Sequence, residues 1–166
     1  MEAPMVRFSI KHLQEDQFDA AFPLVRTAAP HLQAEDWRHF ARRLISGEGG
    51  VLTVSAGDGP PYGVAVYRLD YSLRHGRTLE IELIVTFELE REAPARAALC
   101  EMLELIALAK DCRSLTITTA SKGYAASQSP RAGAWASLGL NIDSVIFAKR
   151  LKRQLAGVGA PGAVHD

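Results

Sequence analysis

The chain has 166 residues, 48% of them hydrophobic and 23% charged, and its formal net charge is zero. That composition fits one soluble globular domain with a sizeable core. Balanced charge provides no global field to attract nucleic acid, and no apolar run approaches the roughly 18 residues a membrane span needs.

Taken in chain order, the N-terminus MEAPMVRFSI has no basic segment followed by an apolar core, so no signal peptide is expected. VRFSIKHL has strand character. Asp16 is placed to cap a helix whose apolar positions are Phe18, Ala21, Phe22 and Val25 and which Pro30 ends. A second amphipathic helix is expected at about Ala34–Ser46, with Trp37, Phe40, Ala41 and Leu44 on one face and Gly47, Gly49 and Gly50 stopping it. Its Arg38, Arg42 and Arg43 read as a solvated face in preference to a site for an acidic ligand. VLTVSA, the turn GDGPP, YGVAVYRLDYSL, the turn RHGR and TLEIELIVT then form a strand meander.

The longest helix follows, with Leu99, Met102 or Leu103, Ile106 and Ala109 expected as its buried stripe. SLTITTA is a strand, SKGYAASQS a polar loop, Pro130–Leu138 a short helix ended by Gly139, and DSVIFAKRL the last strand. The expected order is β-α-α-β-β-β-α-β-α-β, an α/β fold with a mixed central sheet flanked by helices. Residues 1–155 form a single domain, and the Gly/Ala/Pro-rich residues 156–166 a disordered tail. The run Lys149-Arg150-Leu151-Lys152-Arg153 reads as a solvated strand end. The two cysteines, Cys100 and Cys112, both fall in the long helical pattern, too far apart for a disulfide in one straight helix. They read as reduced thiols, which suits a cytoplasmic protein.

Metal chemistry finds no support in the spacing of His12, His31, His39, His75 and His165. There is no Gly-x-Ser-x-Gly elbow and no Gly-x-x-x-x-Gly-Lys loop. What remains is the junction of TLEIELIVT with the long helix, FELEREAPARAA. A strand turning into a helix is a common phosphate cradle, because the first helical N–H groups are unpaired. This one has no glycine.

The element order, IELIVT followed by a polar turn and a long helix, and AGAWASLGLNIDSVIFAKRL together resemble the GNAT superfamily of acetyl-CoA-dependent N-acetyltransferases, over about Arg7–Leu151. The superfamily's motif, Gln/Arg-x-x-Gly-x-Gly/Ala, falls on Glu90-Arg91-Glu92-Ala93-Pro94-Ala95. Glutamate replaces its first residue and Ala93 its first glycine, while Ala95 is permitted. The resemblance implies acetyl-CoA as co-substrate, held near Val85, Arg91, Ala93, Ala95 and Arg96, and a small-molecule or peptidyl amine as acceptor. Pro94 has no N–H to offer, and Glu88, Glu90 and Glu92 place negative charge beside an anion. Those acids read equally as stabilisers of a helix start.

The superfamily often keeps a carboxylate base on the strand before the motif. Glu80 and Glu82 sit there, on one sheet face by alternation, and Glu82 matches the position better. Apolar neighbours such as Leu83 and Ile84 favour a raised pKa, as base catalysis wants. The two carboxylates read equally as a solvated strand face. The usual tyrosine acid of the final helix is replaced by Trp135, which leaves Tyr124 as the substitute nearest in sequence. The two missing signature features keep a second reading open, a non-catalytic module of the same fold that senses acyl-CoA or serves as a dimerising interaction domain. Pairing through the C-terminal strands into a homodimer is also implied.

Overall fold

The structure is a computed structural model, and it describes residues 7–88, 93–120, 137–140 and 142–152. Six strands form one sheet in the spatial order β1 to β6: β1 Phe8–His12, β2 Gly49–Ala56, β3 Gly63–Ser72, β4 Gly76–Thr86, β5 Ser114–Ala120 and β6 Ser144–Arg150. All neighbours are antiparallel except β4 and β5. Helices α1 Phe18–Ala28 and α2 Ala34–Ser46 lie between β1 and β2 in the chain, and α3 Pro94–Ala109 between β4 and β5. The mixed α/β architecture expected from the sequence is present in the described residues. Of the helix expected at Pro130–Leu138, residues 130–136 lie outside them and residues 137–139 form a turn, with Gly139 at φ 79°; the loop carrying Tyr124 and the tail from residue 156 also lie outside them.

Both faces of the central strands β2 to β4 are covered, which is why VLTV and GVAVY are largely apolar runs. On one face Leu99, Leu103 and Ala107 of α3 pack on Leu52, Val54, Leu79 and Ile81. On the other, Leu24, Val25 and Trp37 of α1 and α2 pack on Val51, Val64 and Val66. The indole N–H of Trp37 donates to the Phe18 carbonyl at 2.8 Å, joining the two helices. On their outer side Arg38 pairs with Asp19 at 2.7 Å and Arg42 with Glu15 at 2.5 Å. Hydrogen bonding to Arg38 holds the Asp19 carboxyl below its ordinary range. These arginines tie α2 to its neighbours instead of reaching for a ligand.

Three local expectations are corrected. Asp16 does not cap a helix: a 3-10 turn, Glu15–Gln17, precedes α1, and Gln14 and Gln17 close a reciprocal capping box there. The buried stripe of α3 is Ala95, Leu99, Leu103 and Ala107, an i, i+4 row, and Ala109 is exposed. Cys112 lies beyond the helix end, buried, after Asp111 turns the chain at φ 58°. Both cysteines are free thiols, and burial pushes both up from the ordinary thiol range. Gly49 and Gly50, expected only as helix breakers, open β2. A Cβ on Gly49 would meet Leu44 Cδ1 at 2.6 Å and the Tyr67 carbonyl at 2.7 Å, so only glycine passes under the end of α2.

Candidate active site

β4 and β5 pair over a short stretch only, Thr78–Ile81 against Ser114–Ile117. Beyond it the two strands run on without pairing, β4 to Thr86 and β5 to Ala120. The parting coincides with a bulge. Val66 of β3 faces Leu83 and Tyr67 faces Ile81, so Glu82 is the extra residue on β4. A bulge bends its strand and increases the local twist, which steers β4 away from β5. The stretch Leu83–Thr86 therefore has β3 on one edge and, among the described residues, no strand on the other. Val85 sits in this stretch, opposite Val64 and half-buried. One buried hydroxyl on each parted strand, Thr86 Oγ1 and Thr119 Oγ1, finds no hydrogen-bond partner among the described residues. By alternation each shares a face with residues packed on α3: Thr86 with Ile84, Thr119 with Ile117.

Glu80 and Glu82 share one face, as expected, and Arg68 of β3 stands between them. Its Nη2 and Nε donate to Glu80 Oε2 at 3.0 and 3.2 Å. Thr118 Oγ1 donates to Glu80 Oε1 at 3.3 Å, so both Glu80 oxygens are engaged. Glu82 Oε2 lies 3.8 Å from Arg68 Nε, an ion pair beyond hydrogen-bond reach. The Glu82 side chain is 42% exposed, against 20% for Glu80. Glu82 is thus the carboxylate with free lone pairs, though it is wetter than its apolar sequence neighbours suggested. Hydrogen bonding to Glu80 pushes the Arg68 guanidinium above its already high range, so it stays charged. Arg68 was not anticipated, yet the hairpin fixes it: pairing Ser72 with Gly76 across the turn puts Arg68 opposite Glu80.

On the same face, Glu82 and Leu83 help line a hollow of about 320 Å³ between α1, α2 and the sheet.

The cradle position has an unusual backbone. Ala93, where the superfamily motif has glycine, adopts φ 41°, ψ 63°, the left-handed region. A non-glycine residue gives up roughly 1–2 kcal/mol there. Pro94 occupies the first helical position, which suits its fixed φ. The next two N–H groups are already taken: Ala95 N–H donates to Glu88 Oε1 at 2.5 Å and Arg96 N–H to Glu88 Oε2 at 3.1 Å. Ala97 N–H makes the first intrahelical bond, to Ala93 O. Alanine has no side chain to cap a helix, and Glu88 reaches back from seven residues upstream to do so. None of the N–H groups of residues 94–97 is left for an outside anion while Glu88 is in place. The role of helix-start stabiliser, open for three acids in the sequence, is filled by Glu88. The side chain of Arg96 is exposed. Arg91, Glu90 and Glu92, Tyr124 and Trp135 lie outside the described residues.

Among the described residues no three His, Cys, Asp or Glu side chains come together as a metal site, and no helix is long and apolar enough to cross a membrane.

A mixed sheet whose one parallel pair parts beside a helix N-terminus is the arrangement expected of the GNAT fold. Comparison with solved structures gives the same answer for the fold. An acetyltransferase from Trypanosoma brucei matches at TM-score 0.54 with 18% identity, covering 81% of this chain and 93% of that one. The aminoglycoside acetyltransferase AAC(6')-Iy, in complex with a bisubstrate analogue of CoA and acetylneamine, matches at TM-score 0.63 with 16% identity, covering 85% and 96%. A GNAT-family acetyltransferase from Streptococcus pneumoniae matches at TM-score 0.59 with 15% identity, covering 88% and 100%. No family model and no curated protein matches the chain. The chain has the GNAT acetyltransferase fold.

Proposed function

We propose that the protein is an acyl-CoA-dependent N-acyltransferase, moving acetyl from acetyl-CoA to a small-molecule or peptidyl amine by direct attack. The observation that supports this best is the parting of β4 from β5 at the Glu82 bulge. An open strand edge binds an extended chain through main-chain hydrogen bonds, and the amide-bearing arm of CoA is such a chain. The unpartnered Thr86 and Thr119 hydroxyls suit a polar ligand seated between the strands. Acetyl-CoA supplies an acyl group activated as a thioester. Val85 and the main chain of Leu83–Thr86 are the residues to hold its arm, and Ala93, Ala95, Arg96 and Arg91 those to hold its pyrophosphate. Glu82, half-exposed and with free lone pairs, takes a proton from the arriving ammonium so that a neutral amine attacks the thioester carbonyl, and the proton lost as the C–N bond forms goes to solvent. Glu80, fixed by Arg68 and Thr118, positions Arg68 instead. The leaving thiolate accepts a proton from solvent or from Tyr124.

One observation favours the second reading, a non-catalytic module that senses acyl-CoA or serves as an interaction domain: the Glu88 carboxylate already fills the helix N-terminus where a pyrophosphate is expected. An amine panel separates the two. Release of free CoA thiol with formation of an acetylated amine supports the transferase. Acetyl-CoA binding with no release of CoA thiol in the presence of any amine supports the sensor.

The free thiols are consistent with a cytoplasmic protein. We also propose a homodimer built on β6. Among the described residues it is the last strand of the sheet, with Ile146 59% and Phe147 47% exposed, and a sheet edge without a neighbour pairs readily. Light scattering at about 50 µM should show the dimer mass, a concentration that populates even modest affinities. A monomer at that concentration, or an Ile146→Asp variant that stays dimeric, contradicts the β6 interface.

A further inference from the structure

The hollow beside Glu82 has a composition that selects its occupant. Val25 and Leu32 wall it from α1 and the loop that follows, Trp37 and Phe40 from α2, Val66 and Leu83 from the sheet. Val25, Trp37 and Val66 are almost wholly buried, and Phe40 keeps 38% of its surface exposed, its ring 6.4 Å from that of Trp37. Glu82 is the only charged residue among the described lining. Two carboxylates, Glu80 and Glu82, share the single guanidinium of Arg68, and Arg68 hydrogen-bonds only Glu80 of the two. Arg68 is thus committed to Glu80, and Glu82, the carboxylate that lines the hollow, keeps its oxygens free for an outside partner. Arg38 and Arg42 of α2 are matched by Asp19 and Glu15 and add no net charge of their own. At about 320 Å³ the hollow is at the small end of ligand sites.

We propose that this hollow takes a small monoamine with an apolar, preferably aromatic, body: an arylalkylammonium whose ring lies against Trp37 and Phe40 and whose ammonium meets Glu82. An amino sugar or a polyamine is the wrong ligand, since several ammonium and hydroxyl groups need several carboxylates and polar partners, and this lining has one carboxylate. The proposal rests on the acyltransferase reading only in naming this amine the acceptor. Glu82 is also the first residue of β4 past its last pair with β5, so an amine held there lies where the strands begin to part.

Calorimetric titration tests it, with 2-phenylethylamine, 2-phenylethanol, spermidine and neamine as probes, each with and without CoA. Phenylethylamine should bind at neutral pH, about tenfold or more tighter than the uncharged alcohol, because an ion-paired hydrogen bond is the strong kind. Glu82→Gln should weaken the amine about tenfold and leave the alcohol unchanged. Phe40→Ala should weaken both about fivefold through lost apolar contact. No binding of phenylethylamine in either condition, equal binding by Glu82→Gln, or tighter binding of spermidine or neamine overturns the proposal. The acyltransferase reading fails separately: amine binding that persists in a protein which never binds acetyl-CoA leaves the hollow's assignment intact and removes the transfer reaction.

Discussion

Glu82→Gln is expected to lower the rate of acetyl transfer at pH 7 by about a hundredfold or more, the lower end of what a general base contributes. The size follows from the acceptor. An alkylammonium titrates near the lysine range of about 10.4, so at pH 7 almost every acceptor molecule arrives protonated and unable to attack. Glu82 is the one carboxylate of the pair with oxygens free to take that proton, since Glu80 is engaged on both. Glutamine keeps the shape and loses the basicity. The deficit should shrink as pH rises toward the pKa of the amine, where the neutral form is abundant without help. Tyr124→Phe should cost less, because a thiolate with a conjugate-acid pKa of about 8.5 leaves readily, consistent with tryptophan at the tyrosine position. A pH–rate profile of the two variants is the measurement. Full activity in Glu82→Gln would show that another group is the base.

The second large effect concerns Glu88 and has two opposite signs. Glu88→Ala removes the cap of α3, so the unliganded protein should lose about 1 kcal/mol, the usual worth of a helix cap. In a chain of this size that corresponds to a fall of about 2–4 °C in melting temperature. The same change frees the Ala95 and Arg96 N–H groups and deletes a negative charge beside the expected pyrophosphate. CoA should then bind about tenfold tighter, since CoA no longer has to displace a charge-assisted bond worth roughly 1.5–3 kcal/mol. Arg91→Ala with Arg96→Ala should act in the other direction and weaken CoA at low salt. Thermal unfolding and calorimetry on the same samples read both signs. Lower stability with unchanged CoA affinity would mean that Glu88 is a structural cap and that the pyrophosphate sits elsewhere.

Much of the fold could be read from the chain because its signals are local. The turns GDGPP and RHGR delimit β2, β3 and β4, and the runs between them are β-branched and apolar. Long α3 was visible too, but its buried face was not. Leu99, Met102, Leu103, Leu105, Ile106 and Leu108 surround it with apolar residues, so periodicity chooses poorly among faces. The sheet approaches closely enough to select the small Ala95 and Ala107. The Gln14–Gln17 capping box lacks the serine or aspartate that marks a helix start.

The candidate site was legible in its parts and not in its arrangement. Glu80 and Glu82 stand out by spacing, and Ala93 by replacing a motif glycine. The partner of the carboxylates, Arg68, depends on a cross-strand register twelve residues away in sequence. That Glu88 accepts from the Ala95 and Arg96 N–H groups, seven and eight residues on, is a contact that sequence spacing does not show. The opening between β4 and β5 is a property of two strands distant in sequence, set by one extra residue at the bulge.

Acyl transfer by this protein requires that the opening between β4 and β5 be an acyl-CoA site. Calorimetric titration of the unmodified protein with acetyl-CoA and with CoA tests this most directly. One-to-one binding of both is predicted, weakened by a bulky substitution at the parted edge such as Val85→Trp and strengthened by Glu88→Ala. No heat of binding with either ligand, in the unmodified protein and in Glu88→Ala alike, would contradict it.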